Sequence, residues 1–121
     1  MPIVQILMLA AGAVVPASAS SRPAVAHAVD CFLAIQSLAD SRDPKVRAMG
    51  KTGAMFFAGQ IFGADPRIDL GKVATAEALT LSEARIAELR LECGRELQAR
   101  GQQMESAGAA MRERIRAQSP D

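Results

Sequence analysis

From Ser82 to Arg116 apolar and small residues recur every three or four positions: Ile86, Leu89, Cys93, Leu97, Gly101, Met104, Gly108, Met111 and Ile115. The mean step of about 3.6 predicts one long α-helix with these residues on one face and Glu and Arg on the others. Thr80-Leu81-Ser82-Glu83 fits a capping box, with Thr80 as N-cap and Glu83 at N3. A helix of about 35 residues is roughly 50 Å long. A compact domain of about one hundred residues has a radius of gyration of only about 13 Å. The other elements can cover its first half, through Cys93 and Leu97. Beyond Gly101, from about residue 102, it must kink back or project. The stripe Met104, Gly108, Met111 and Ile115 is therefore a candidate partner surface, and methionines suit adaptable contacts.

Three shorter helices are predicted before it. The first runs from Pro23, placed at N1, to about Asp40, with Ala24, Ala28, Cys31, Ile35 and Leu38 on one face. Val25, Val29, Phe32 and Leu33 extend its apolar surface round most of the cylinder, as in an enclosed helix. Asp43 and Pro44 read as N-cap and N1 of a second helix, about Pro44 to Phe62, ended by Gly63 at C′. Its second half holds three of the four Phe and is expected to form the centre of the core. Gly50, Ala54 and Ala58, spaced by four, suit close approach of a neighbour. After a Gly/Pro loop, Asp69 caps a short helix from about Leu70 to Leu79, with Val73, Ala76 and Leu79 facing inward.

The amino-terminal stretch changes the picture. Met1 to Val15 is apolar apart from Gln5 and is followed by Pro16-Ala17-Ser18-Ala19-Ser20. This reads as the apolar core of a secretory signal peptide, residues 1–19, with the cut after Ala19 and a cut after Ser21 as its nearest competitor. No Lys or Arg precedes it, so the amino terminus itself supplies the positive charge, or the start lies upstream. A buried helix and an uncleaved anchor are the alternatives. Export would leave residues 20–121 as a single helical domain in the periplasm or outside the cell, with no stable membrane span. In an oxidising compartment the two cysteines, Cys31 and Cys93, have one intramolecular pairing. Two buried free thiols are the other possibility.

Composition supports an all-α fold: Ala and Met abound, there is no Trp or Tyr, and β-branched runs are scarce. A formal charge of +1 gives no basic excess for nucleic acid. Candidate chemistry is thin. His27, four residues before Cys31, could share a helix face with it as a metal ligand, but a site needs three or four ligands, so no metal or cofactor is expected. Asp65 and Asp69 flank Arg67 at a spacing open to acid–base work, yet turn formation and capping explain both. Gly50-Lys51-Thr52 lacks the earlier glycine of a phosphate loop, since position 45 is Lys. No catalytic residue is assigned, and no enzyme is expected.

The set Cys31, Phe56-Phe57-Ala58-Gly59, Gly63-x-Asp65-Pro66-x-x-Asp69-Leu70 and Cys93-Gly94-x-x-Leu97-x-x-x-Gly101-x-x-Met104 resembles small exported helical proteins of alphaproteobacteria. Those share a signal peptide, two cysteines, an aromatic-x-Gly segment and a Cys-Gly helix. The resemblance implies export and a disulfide and carries no assigned activity. A looser, fold-level similarity links the chain to periplasmic acid-stress chaperones, which are small and helical with one disulfide. The expectation is thus an all-α bundle of about four helices with one disulfide. Its function would be a non-enzymatic, stress-related interaction with a protein partner or a second copy. The alternative is a small apolar-ligand module with a pocket near Phe56, Phe57 and Phe62.

Overall fold

The computed structural model describes residues 17–119. The apolar stretch read as the core of a signal peptide, residues 1–15, lies outside them. The fold is all-α. Helix α1 (Ala17–Gln36) tightens into a 3-10 turn (Ser37–Asp40) and is followed by α2 (Pro44–Ala64), α3 (Leu70–Ala78) and α4 (Glu83–Gln118). There is no strand among the described residues.

Local chemistry sets most of the boundaries. The Asp43 carboxylate accepts from the Lys45 N–H at 2.9 Å, with Pro44 in the first turn, and this starts α2. Asp69 starts α3 in the same way, accepting from the Lys72 N–H at 3.1 Å. Four expected boundaries shift. Pro23 lies inside α1, which is already helical from Ala17, and the expected last turn is 3-10. α2 continues through Gly63, and no described glycine has positive φ. Pro66 is what stops it, because proline disfavours the helical conformation at Asp65, where φ is −141° and ψ 86°. The N-cap of α4 is Ser82, not Thr80: its hydroxyl accepts from the Arg85 N–H at 3.0 Å. The Thr80 hydroxyl instead donates to the Glu77 carbonyl at 2.8 Å.

α1 is the element that every other one packs against. Cys31, Ala34, Ile35, Phe57, Leu89 and Cys93 form the main core where α1, α2 and α4 meet. Ala28, Val29 and Ile61 form a second cluster, closed by Ile68 and Leu70. Only one of the four Phe, Phe57, is fully buried. Close backbone approach makes up for the shortage of large side chains. Gly50 lies against the 3-10 turn, where a Cβ would come within 2.6 Å of the Ala39 nitrogen and 2.8 Å of the Leu38 carbonyl carbon. Gly53 makes a second close contact: its Cβ would meet Ile35 and Leu97 methyls at 2.7 Å. α3 buries Ala74 alone, while Val73 is exposed and Leu79 is 85% exposed. α3 docks on α1, and Leu70, Ala74 and Glu77 form the face with least exposure, so the expected inward face is rotated away.

α4 is unbroken at Gly101, and at about 1.5 Å per residue its 36 residues span about 54 Å. Its fully buried residues are Leu89 and Cys93. From Gln98 to Ser119 every residue but Gly108 is exposed, so the second half projects from the bundle.

Cys31 and Cys93 are joined in a disulfide, with Cα atoms 5.5 Å apart and a sequence separation of 62. Closing a loop of that length restricts the unfolded chain by up to about 4 kcal/mol. Replacing both cysteines by alanine is expected to lower the unfolding free energy in urea by about that amount. A contrast among glycines tests the close packing. Gly50→Ala should destabilise by about 1–3 kcal/mol, because backbone must move. Gly59→Ala, where nothing lies within 4 Å, should stabilise by up to about 1 kcal/mol in the same assay.

Candidate functional site

The most polar convergence of elements lies where α1 crosses α4. Both bridged sulfurs are fully buried. His27 stands one turn before Cys31 on α1, and Glu96 stands one turn after Cys93 on α4. The four residues therefore share the facing surfaces of two helices. His27 Nε2 lies 2.9 Å from Glu96 Oε2 and 3.5 Å from Cys31 Sγ. Their side chains remain 48% and 30% exposed, so the contact forms a rim between the buried bridge and solvent. Cys31 Sγ also lies 4.0 Å from Glu96 Oε2. A bridged sulfur carries no proton to donate, so this is proximity alone. Ligand atoms of His27, Cys31 and Glu96 all fall within 4.8 Å of one another, a spacing at which they could hold a metal ion. The bridged Cys31, however, has no thiolate to offer.

Sequence reasoning paired His27 with Cys31 but missed Glu96, although Cys93-x-x-Glu96 is itself a ligand spacing. It also missed Asp30. One carboxylate oxygen of Asp30, Oδ1, is buried without a hydrogen-bond partner. Burial raises the Asp30 pKa above the usual carboxylate range. The Glu77 carboxylate of α3 adds to this by sharing a hydrogen bond and by like-charge repulsion, while Arg85 and His27 act in the opposite direction. The pair sits where α1 meets α3.

The remaining candidates take structural roles. Asp65 accepts from the Arg67 N–H in the turn at 3.3 Å, and Asp69 caps α3. Gly50-Lys51-Thr52 lies within α2, Gly50 buried and Lys51 exposed. Arg85 bonds Glu88 at 3.1 Å and Glu92 at 3.3 Å, which raises its pKa, with Glu88 the larger influence. Further along α4, Glu96 turns to His27, and the Arg100 guanidinium donates to Gln103 Oε1 at 2.8 Å. The Arg90 guanidinium donates to the Ser37 hydroxyl at 2.8 Å, tying α4 to the 3-10 turn.

Phe56, Phe57 and Phe62 do not gather round one cavity. Phe57 is inside the core with Phe56 edge-on at 5.2 Å, and Phe62 is 44% exposed. A shallow apolar depression of about 340 Å³ lies elsewhere, lined by Phe32, Ala54, Met55 and Ala58 with Gln36 and Lys51. The expected partner stripe stands free: Met104 is 70% exposed, and Met111 and Ile115 are more than half exposed. Gly108 is half-buried beneath Arg112.

The fold and site define a small all-α protein in which a disulfide joins a compact bundle to a long projecting helix. No helix among the described residues is long and apolar enough to cross a membrane. Comparison with family models, curated proteins and solved structures finds no match to this chain.

Asp30 yields a prediction with a definite sign. Its pKa is higher folded than unfolded, so ionised Asp30 disfavours folding at pH above both values. That penalty lifts as pH falls through the folded-state pKa and is gone below the unfolded one. Asp30→Asn should therefore raise the melting temperature at pH 7, an advantage that shrinks as pH falls through the folded-state value and is gone below the unfolded one. Melting curves of both proteins, from pH 7 down to below the ordinary aspartate range, check this.

Proposed function

We propose that the protein is a non-enzymatic interaction protein of the periplasm or extracellular medium, and that the projecting half of α4 pairs with the same segment of a second copy. A compartment that sustains disulfides suits the Cys31–Cys93 bridge. The observation that carries the reading is a set of glycines with no role inside the monomer. Gly94, Gly101 and Gly108 follow at intervals of seven in one helix. Each costs up to about 1 kcal/mol of helix stability relative to alanine. A Cβ at Gly94 or Gly101 would meet nothing within 4 Å, and one at Gly108 would meet only Arg112 of its own helix.

Leu97 and Met104 stand between these glycines, and Met111 and Ile115 follow them. The steps from Gly101 to Ile115 alternate three and four, the period of a two-helix seam. Such a seam is self-complementary, as a two-fold interface requires. Glycine on it lets helix axes approach closely, and exposed methionines fill the remaining gaps. The bundle holds one end of the seam in place through the bridge and leaves the other free for the partner.

Light scattering across a concentration series is expected to give a dimer. Met111→Lys should yield a folded monomer, since the side chain is exposed. Gly101→Ala with Gly108→Ala separates the two explanations of the glycines. If they serve a close interface, the double variant dissociates more readily while its monomer melts higher. If self-association is absent in the parent protein, or unchanged in both variants, the reading fails.

A further inference from the structure

We propose that reduction of the Cys31–Cys93 bridge converts the α1–α4 crossing into a binding site for one zinc-class divalent cation, with His27, Cys31, Cys93 and Glu96 as its four ligands. The proposal goes beyond the pairing function and does not depend on it. Two short spacings carry it, His27-x-x-x-Cys31 on α1 and Cys93-x-x-Glu96 on α4. Each sets two ligand atoms on one helix face, and the crossing turns the two faces toward each other.

Three of the four ligands already stand close to the spacing a tetrahedral ion needs. With Zn–S near 2.3 Å and Zn–N and Zn–O near 2.0–2.1 Å, neighbouring ligand atoms should lie about 3.3 Å (N to O) to 3.8 Å (S to S) apart. Cys31 Sγ stands 3.5 Å from His27 Nε2 and 4.0 Å from Glu96 Oε2, and the two rim atoms are 2.9 Å apart. Once their bond is broken the two sulfurs must separate and Cys93 Sγ must turn toward the rim, since the ligand atoms already within 4.8 Å of one another are those of His27, Cys31 and Glu96. The sulfurs are buried while His27 and Glu96 reach solvent, so the ion has an entry side and an apolar floor.

The chemistry balances with a dithiol reductant. One of its thiolates attacks a bridge sulfur and forms a mixed disulfide. The second thiolate then displaces the other cysteine, leaving an oxidised dithiol and two protein thiols. Two electrons and two protons pass to the cysteines. Cation binding then releases those two protons to solvent as the two metal–sulfur bonds form, and neutral His27 and ionised Glu96 complete the shell. Bridge and metal use the same sulfur atoms, so the two states exclude each other and the site is redox-gated.

The test uses the full chain, reduced with a phosphine under anaerobic conditions, freed of reductant and titrated with Co²⁺. The absence of Trp and Tyr leaves the near-ultraviolet clear for thiolate-to-cobalt charge transfer. One equivalent is expected to produce that band together with the visible bands of tetrahedral cobalt, and Zn²⁺ should bleach both. The oxidised chain should produce neither. His27→Ala and Glu96→Gln should each weaken binding by at least about tenfold, no less than loss of an outer-shell partner costs. Circular dichroism runs alongside. A reduced chain that loses helix and regains it with Zn²⁺ supports the site, because metal binding then drives folding. The proposal is overturned if the reduced chain gives no stoichiometric cobalt spectrum. It is equally overturned if both variants bind as tightly as the parent, since two thiols alone then hold the ion, or if Zn²⁺ fails to restore lost helix.

Discussion

The Cys31–Cys93 bond joins α1, the helix that touches every other element, to α4, a long helix that buries little of itself. In its 36 residues α4 fully buries only Leu89 and Cys93. Ile86 and Leu97 add partial contacts, and Arg90 adds a polar tie to the 3-10 turn. A helix with so little buried apolar area gains little from the hydrophobic effect, which scales with area removed from water. The covalent link reinforces the one stretch of α4 that is packed, beside Phe57 in the main core. The rest of the bundle economises on side-chain volume. Gly50, Gly53, Ala34 and Ala54 bring backbones together, so a core with one buried aromatic ring still excludes water.

The crossing that needs the bridge also concentrates the ionisable groups. His27 and Glu96 lie over the sulfurs because each is one helical turn from its cysteine. Asp30 lies one residue before Cys31 and is turned toward α3 and Glu77. Its unpartnered oxygen puts a small pH-dependent strain beside the covalent anchor. The bridge that joins α1 to α4 thus lies beside three ionisable side chains, His27, Glu96 and Asp30.

Beyond Leu97 the constraints are different. The helix has left the bundle, and nothing in the monomer accounts for glycine at 101 or for exposed methionine at 104 and 111. Helix-forming neighbours such as Arg100, Glu105 and Ala109 keep the segment helical at a cost in glycine. A single helix is thus divided in two, with its first half fixed by the bridge and its second half exposed.

Much of this was legible in the sequence, and the reasons are local. Capping by Asp43 and Asp69 depends on side chains two or three residues from their partners. With only two cysteines there was one intramolecular bond to make. The projection of α4 followed from length alone, since a helix of that reach outruns so small a bundle. What only the tertiary structure decided was rotation and juxtaposition. The second half of α2 is apolar all round, so its periodicity names no unique inward face; contact with α1 buries Phe57 and leaves Phe62 and Met55 outside. α3 has apolar residues on two sides, and docking on α1 selects Ala74 over Val73 and Leu79. The meeting of His27 with Glu96, 69 residues apart, depends on where two helices cross. Periodicity fixes what shares a face within a helix, but not what faces it from another.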